Sequence, residues 1–255
     1  MLFDSHAHLN DARFEGEQEK IIQNAIAHGI SYILNAGADF ESSVKSIELA
    51  HKYDRVYASV GVHPHDAENM DDITLALLKG LARKPKVVAI GEIGLDYYYD
   101  HSPRDIQKEW FRRQIGLAKE VNLPIIIHDR DANDDVMRIL KEEKAFDTGV
   151  VLHCFSGSVE LARQYIKLGA YISIAGPVTF KNARKTVEVV ENIPLEYLFV
   201  ETDSPYLTPV PFRGKRNEMA YVRYVAEKVA EIKGLSLEEV ANQTTENAKK
   251  FFGIK

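Results

Sequence analysis

Short apolar runs of strand length alternate with longer amphipathic stretches along almost the whole chain, and this alternation strongly constrains the fold. We count eight strand–helix pairs, beginning with the apolar run at 2–5 and ending with the run at 198–200 and its following helix. The tail at 236–251 suggests two further short helices, with Ser236 and Glu239 as a capping box. Strands that are apolar along their full length are typical of parallel sheets with helices on both faces. Eight such pairs in 255 residues, with no Gly-x-Gly-x-x-Gly after any strand, favour a closed barrel over an open doubly wound sheet. The sequence therefore predicts an α/β protein, a single-domain (β/α)8 TIM barrel over residues 1–255.

The composition is typical of a soluble globular protein, with 45% hydrophobic and 27% charged residues. The net charge of −6 argues against a broad nucleic-acid-binding surface, but it permits a local pocket centred on metal ions. The single cysteine, Cys154, excludes an intramolecular disulfide and is expected to be a small buried thiol. Neither a secretory signal nor a membrane-spanning apolar run is recognisable. We therefore expect a cytoplasmic protein without membrane contact and without an obligate protein partner.

Five of the apolar runs are followed by residues of the types that bind metal ions. These candidate ligands are His6, His8, Glu92, His128, His153 and Asp203. The carboxyl ends of all strands in a (β/α)8 barrel face one mouth, so residues far apart in the sequence can converge there. A pair of divalent ions at such a mouth lowers the pKa of bound water and makes it a nucleophile near neutral pH. The sequence predicts a site for two divalent ions.

The candidate ligands divide between the two ions. His6 and His8 stand two residues apart at the end of the first strand, so both side chains can face the same way and hold one ion together with Asp203. Glu92 offers two oxygens and can bridge to the second ion. That ion would be held by His128 and His153 from two adjacent strands. Imidazole ligands suit zinc, whereas the carboxylates also accept magnesium or manganese, so the metal stays open between Mg, Mn and Zn.

Residues near these strand ends are candidates for substrate contacts. His63, Arg130 and Arg213 could hold a phosphate, although His63 could instead stabilise a turn and the arginines could be ordinary loop charges. The segment 96–99 (Asp-Tyr-Tyr-Tyr) could stack on bases or sugars, with loop packing as the alternative. Glu201 could orient a ligand or pair with a basic residue of the barrel.

Seven segments of this chain resemble the TatD family of metal-dependent hydrolases, within the amidohydrolase-like barrel superfamily. They span residues 3 to 218 in order: Phe3-Asp4-Ser5-His6-Ala7-His8-Leu9, Val60-Gly61-Val62-His63-Pro64, Gly91-Glu92-Ile93-Gly94-Leu95-Asp96-Tyr97, Pro124-Ile125-Ile126-Ile127-His128-Asp129-Arg130, His153-Cys154-Phe155-Ser156-Gly157, Glu201-Thr202-Asp203-Ser204-Pro205-Tyr206-Leu207 and Arg213-Gly214-Lys215-Arg216-Asn217-Glu218. The resemblance places the family's metal ligands on the same six residues named above. It implies hydrolysis of ester bonds, in several members those of DNA, by a magnesium- or manganese-assisted deoxyribonuclease with exonuclease character. Met219 departs from the family pattern, which usually has proline there, and this affects only the entry to the last barrel helix.

The resulting prediction is a divalent-metal-dependent hydrolase of ester bonds, a deoxyribonuclease of the 3′-5′ exonuclease type that acts on nucleic-acid ends. Asp203 and Glu92 are the expected catalytic residues, with Asp203 as the acceptor of the proton from the attacking water. Two alternatives stay open at this point. One is a hydrolase of another ester or amide, such as a lactone, a small amide or an aminoacyl-tRNA ester, because the same ions polarise either kind of oxygen. The other is a metal-binding scaffold without catalytic activity.

Overall fold

A computed structural model describes all 255 residues, and strands and helices alternate along the chain as predicted. The strands are β1 Leu2–Ala7, β2 Ile30–Ala36, β3 Val56–Val60, β4 Val87–Asp96, β5 Ile125–Arg130, β6 Val150–Leu152, β7 Tyr171–Ile174 and β8 Leu198–Val200. The helices are α1 Gln18–Ala27, α2 Phe40–Lys52, α3 Asp72–Ala82, α4 Arg104–Val121, α5 Asn133–Glu142, α6 Val159–Lys167, α7 Arg184–Asn192, α8 Val222–Lys233 and α9 Leu237–Phe252. The eight strands belong to one parallel sheet, in the order β1 to β8.

Two compact units divide the chain, one formed by residues 1–35 and 154–255 and the other by residues 36–153. Within the first unit, the segments that follow β1 and β8 are joined by backbone hydrogen bonds. The His8 N–H donates to the Ser204 carbonyl over 2.8 Å, and the Asp203 N–H donates to the His6 carbonyl over 2.9 Å. The first and last strands of the sheet order therefore meet, which confirms the predicted (β/α)8 barrel. That the barrel is a single domain stays a prediction.

The second unit, residues 36–153, has β4 at its centre. All ten residues of β4 are buried, as expected for a strand covered on both faces. Helix α4 packs with an apolar side that carries Trp110, Phe111 and Ile115, spaced so that they share one face of the helix. Asn122 ends α4 in the left-handed conformation, with φ 54°. None of the helices, α4 included, combines the length and the apolar character needed to cross a membrane.

The C-terminal tail of the first unit is one helix, α9, whereas the sequence at 236–251 suggested two short helices. Ser236 begins it with the predicted capping box to Glu239, and Gly253 ends it in the left-handed conformation, with φ 65°. Its buried stripe repeats every four residues, so a single helix keeps the whole stripe on one side. The ring of Phe252, at the end of this stripe, lies 6.0 Å from the rings of both Phe3 and Phe199.

Candidate metal centre

The first unit brings His6, His8 and Asp203 together, and we call these three residues the first cluster. The Nε2 atoms of His6 and His8 are 3.1 Å apart. Asp203 Oδ1 lies 3.4 Å from the Nε2 of His8 and 3.9 Å from that of His6. Two imidazole nitrogens bound to one ion in tetrahedral geometry lie about 3.3 Å apart. The spacing in the first cluster therefore fits a single divalent ion held by two imidazoles and a carboxylate.

A buried carboxylate–hydroxyl pair positions Asp203. Asp4 on β1 is fully buried, and its carboxylate accepts hydrogen bonds from the Thr202 N–H at 2.8 Å and the Thr202 hydroxyl at 2.6 Å. Burial raises the pKa of Asp4 well above its usual value, although the bonds from Thr202 oppose this. Asn217 donates to the Thr202 carbonyl over 2.9 Å from the other side. Thr202, the residue before the candidate ligand Asp203, is therefore held through both its N–H and its carbonyl group.

The second unit brings Glu92, His128 and His153 together, and we call these three residues the second cluster. Glu92 Oε1 lies 2.8 Å from His128 Nδ1 and 3.6 Å from His153 Nε2. Glu92 and His153 are buried, and His128 is nearly so. His63 also faces this cluster, with its Nε2 atom 3.6 Å from Glu92 Oε1. The ligand atoms of Glu92, His128 and the adjacent His63 lie close enough together to hold a divalent cation.

Asp96, which follows Glu92 by four residues on β4, fixes the orientation of two imidazoles. Its Oδ2 atom lies 3.0 Å from His128 Nε2 and 2.9 Å from His65 Nε2. Burial lowers the pKa of His128, but the hydrogen bonds with Asp96 and Glu92 outweigh it and raise this pKa to about 9. A carboxylate on the far nitrogen of an imidazole is a usual partner of metal-binding histidines, because it fixes the ring and its tautomer.

The sequence predicts that the segment 96–99 stacks on bases or packs locally, and the role of Asp96 beside two imidazoles was not predicted. One signal was present, since Glu92 and Asp96 stand four residues apart in a strand and therefore point to the same face. No such signal marked His65, which reaches Asp96 from another loop.

His63 differs from the other imidazoles because a backbone group determines which of its nitrogens carries the proton. The His65 N–H donates to His63 Nδ1 over 3.1 Å. Burial lowers the pKa of His63 well below its usual value, so the ring is neutral. A neutral imidazole that accepts at Nδ1 carries its hydrogen on Nε2. His63 therefore offers an N–H donor towards the second cluster, and this suits a contact to an anionic substrate better than a bond to a cation.

Gly94 allows β4 to approach the strand that carries His128. The two residues are paired in the sheet register. Gly94 has φ 148°, and a Cβ atom there would lie 1.9 Å from the carbonyl oxygen of His128. Only glycine tolerates both the backbone conformation and the close approach. Gly94 thus allows the close approach of β4 and β5 that places Glu92 beside His128.

The predicted basic residues are exposed and lie on aromatic rings. The Arg130 guanidinium is 4.2 Å from the ring centre of Tyr98, and that of Arg213 is 4.2 Å from the ring centre of Phe180. Arg216 instead forms an ion pair with Glu17 over 2.9 Å. Arg130 and Arg213 therefore keep their charges on the surface, whereas that of Arg216 is neutralised locally.

Glu201 holds the chain turn after β6. Its Oε1 atom accepts a hydrogen bond from the Cys154 N–H over 2.7 Å, and its Oε2 atom accepts one from the Ser173 hydroxyl over 2.5 Å. Cys154 has φ 42° and is partly exposed, where the sequence suggested a buried thiol. This arrangement uses Glu201 to shape the segment that begins at Cys154.

Comparison with known proteins places this arrangement in a family. The family model described as TatD related DNase matches residues 3–253. An uncharacterized metal-dependent hydrolase of Bacillus subtilis, YabD, is 55% identical over all of this chain and all of its own length. The 3'-5' ssDNA/RNA exonuclease TatD of Escherichia fergusonii is 34% identical over 99% of each chain. The crystal structure of YjjV, a TatD homologue of Escherichia coli, superimposes with a TM-score of 0.94 at 32% identity, covering 100% of this chain and 98% of its own. The predicted resemblance is thereby confirmed, and the chain belongs to the TatD family of metal-dependent hydrolases.

Proposed function

We propose that this protein is a divalent-metal-dependent phosphodiesterase that shortens nucleic acids, with DNA as its substrate and the 3′ end as its starting point. The observation that supports this function is a pair of ligand groups at the strand ends. The ligand atoms of His6, His8 and Asp203 lie close enough together to hold one divalent cation, and so do those of Glu92, His128 and the adjacent His63. A relative that is 34% identical over 99% of both chains is named as a 3'-5' exonuclease of single-stranded DNA and RNA. The family, the ligand chemistry and this relative all support metal-dependent hydrolysis of a nucleic acid.

The residues proposed to hold the ions are those of the two clusters. His6, His8 and Asp203 form one ligand set and His128 and His153 the other, and the proposal makes Glu92 the carboxylate shared by both ions. The proposal assigns both sets to one reaction. Divalent ions bound there supply a water of lowered pKa and polarise a phosphoryl oxygen.

The protein side chains supply the proton transfers and the contacts with the phosphate in this proposal. Asp203 accepts the proton of the attacking water, because its Oδ1 atom lies 3.4 Å from His8 Nε2 and 3.9 Å from His6 Nε2, beside the ion that these imidazoles would hold. His63 donates its Nε2 hydrogen to a phosphate oxygen. Arg130 and Arg213 bind phosphates of the substrate strand, because both are exposed cations.

The test begins with protein that has been stripped of metal by a chelator and reloaded separately with Mg, Mn or Zn. Each form is incubated with a single-stranded oligonucleotide labelled at its 5′ end, and the products are resolved on a gel. Metal content is measured in the same samples, so that an inactive sample can be distinguished from an empty one. The Asp203→Asn variant is the control, because it keeps the shape of the side chain and removes the proton acceptor.

A metal-dependent ladder that shortens from the 3′ end, and that is absent in the control, is the expected result. Immediate release of the label as a mononucleotide would instead indicate attack at the 5′ end. An oligonucleotide that stays intact with every metal, although the protein is loaded, would contradict the nuclease proposal. The reloaded protein would then be assayed with aminoacyl, lactone and amide substrates. These assays test the alternative prediction, a hydrolase of another ester or amide.

A further inference from the structure

Two tyrosines directly after β4 expose their rings to solvent. The exposed fraction is 58% for Tyr98 and 51% for Tyr99. The ring of His101 stacks on Tyr99, with centroids 5.6 Å apart and an angle of 10° between the planes. Neighbouring aromatic rings that remain exposed are a common mark of a binding surface, because their flat faces provide contact area at little cost in side-chain entropy. We call Tyr98, Tyr99, His101 and the adjacent Arg130 the aromatic platform.

Tyr97, the residue before these two tyrosines, has a structural role in this loop. The hydroxyl of Tyr97 donates to Asp135 over 2.6 Å, and the Arg104 guanidinium covers its ring at 4.3 Å. The hydroxyls of Tyr98 and Tyr99 make no such bond. Loop packing therefore accounts for Tyr97 and leaves the two exposed rings without an assigned role.

Hydrogen bonds to Asp96 connect the aromatic platform to the second cluster. Asp96 Oδ1 accepts from the Tyr98 N–H at 3.0 Å and from the Tyr99 N–H at 2.8 Å. Its other oxygen lies 3.0 Å from His128 Nε2. One carboxylate thus holds both the loop that bears the rings and a proposed metal ligand. A molecule whose reacting group lies at the second cluster has the platform within reach of its next chemical unit.

The charges around the platform favour an anionic strand. The Arg130 guanidinium lies 4.2 Å from the ring centre of Tyr98 and 4.8 Å from that of Tyr99, and it makes no ion pair with a carboxylate. Two carboxylates of the neighbouring segments are already paired with other arginines. Asp100 pairs with Arg104 at 3.0 Å, and Asp135 pairs with Arg138 at 2.5 Å. The positive charge of Arg130 is therefore available to a ligand.

We propose that the aromatic platform is a base-stacking subsite for single-stranded nucleic acid. A nucleobase stacks on the ring of Tyr98 and meets the ring of Tyr99, which stands at 88° to that of Tyr98, in an edge-to-face contact. Arg130 holds a phosphate of the same strand. Stacking of this kind tolerates any base, because every nucleobase has a π-face. The inference rests on the proposed function and adds to it the recognition of a base next to the cleaved bond.

The test compares two oligonucleotides that differ only in their bases. Both are single strands of about 12 nucleotides with the same backbone. One of them has abasic nucleotides at its 3′ end. Binding to the Mn-loaded Asp203→Asn protein is measured by fluorescence anisotropy, and KM for cleavage is measured with the active protein. The variants are Tyr98→Leu/Tyr99→Leu and the conservative Tyr98→Phe/Tyr99→Phe. Tyr197→Leu is the matched control, since Tyr197 is another partly exposed tyrosine, 36% exposed, and packs on Tyr171.

We expect the leucine variant to weaken binding of the normal strand about 5- to 50-fold and to leave binding of the abasic strand unchanged. The phenylalanine variant and Tyr197→Leu should behave as the wild type. Equal binding of both strands by the wild type, or unchanged binding by the leucine variant, would overturn the stacking subsite while nuclease activity persists. A wild type that binds and cleaves neither strand would overturn the proposed function and this inference together.

Discussion

Asp96 accepts hydrogen bonds from two imidazole nitrogens and from two backbone N–H groups of the loop that follows β4. Burial opposes its ionisation, but the hydrogen bonds from His128, Tyr99 and His65 lower the pKa of Asp96 well below its usual value. The residue is therefore a carboxylate, and it can orient His128 while it holds the loop. Residues that act in this way on a metal ligand commonly matter for affinity nearly as much as the ligand itself.

Replacing Asp96 by asparagine should lower the affinity for Mn about 10- to 100-fold, because an amide cannot accept from all four donors and its NH2 group opposes an imidazole N–H. Isothermal titration of the metal-free protein measures this affinity. Asp100→Asn is the control, because Asp100 is an exposed aspartate four residues further on, paired with Arg104. Equal affinities of Asp96→Asn and wild type, with unchanged circular dichroism, would exclude the orienting role.

Asp11, which lies outside the two clusters, makes the free energy of unfolding depend on pH in the acidic range. Its hydrogen bond with Arg13 lowers the pKa of Asp11 from 3.8 to about 2. A carboxylate whose pKa is lowered by folding stabilises the protein fully above its unfolded pKa, and this contribution is lost as the pH falls through the folded pKa. Since the Arg13 side chain is 47% exposed, solvent screening limits the contribution to about 1 kcal/mol.

The prediction is measured as the difference in unfolding free energy between wild type and Asp11→Asn. Urea titrations between pH 6 and pH 2 should show a gap of about 1 kcal/mol at the upper end that closes towards pH 2. A gap that is constant over this range would show that Asp11 acts through something other than its charge.

Helix α4 acts on the strand ends through two buried glutamines that are seven residues apart, and therefore on one face of the helix. The Gln114 amide accepts from the Val62 N–H over 2.8 Å and donates to the Val62 carbonyl over 3.0 Å. Gln107 binds the N–H and the carbonyl of Asp96 in the same manner, over 2.9 and 3.2 Å. The backbone next to His63 and at Asp96 is thus held from the helix side.

Gln114→Leu should destabilise the protein by about 3 kcal/mol, because it keeps the volume but leaves the buried N–H and carbonyl of Val62 without partners. Urea unfolding measures the loss. Gln164→Leu on α6 is the matched control, because Gln164 is exposed and its replacement should change stability by less than about 0.5 kcal/mol. Equal stabilities of the two variants would mean that the contacts with Val62 are dispensable.

At the scale of elements, the apolar runs predicted every strand, but the tail at 236–251 was interpreted wrongly as two helices. The capping box at Ser236 was visible in the sequence and is present. The continuity of α9 depends on burial of its stripe, for example the contact of Phe252 with Phe3 and Phe199, and these partners lie nearly 250 and about 50 positions away. Local propensity could not report such contacts.

For the whole molecule, metal binding should contribute to stability, since the ligand sets require the folded chain. A ligand present at 100 times its Kd and bound only to the folded state adds about 2.7 kcal/mol. For a protein of this size that corresponds to a rise in Tm of about 5 to 10 °C. Scanning calorimetry with excess Mn and with chelator measures the shift.

A variant that lacks both His8 and Asp203 should retain only part of this shift, because the second cluster remains intact. The same Tm with Mn and with chelator, in protein shown to take up metal, would contradict a stabilising site. A single domain, a cytoplasmic location and independence from an obligate protein partner stay predictions at this scale.

The barrel class and the six candidate ligands could be inferred from the sequence, because both inferences use local patterns, and the ligand assignment stays a prediction. Apolar runs of strand length define the strands, and a ligand placed two residues from another at a strand end faces the same way. Which group each imidazole faces is evident only in the folded chain. His65 meets Asp96 from 31 positions away, and Val62 meets Gln114 from 52. Such distant pairings set the tautomer of His63, the role of Asp96 and the hydrogen bonds that the glutamines of α4 make to the strand ends. A hydrogen bond depends on the positions of two atoms in space, and a pattern within one segment contains no information about a partner in another segment.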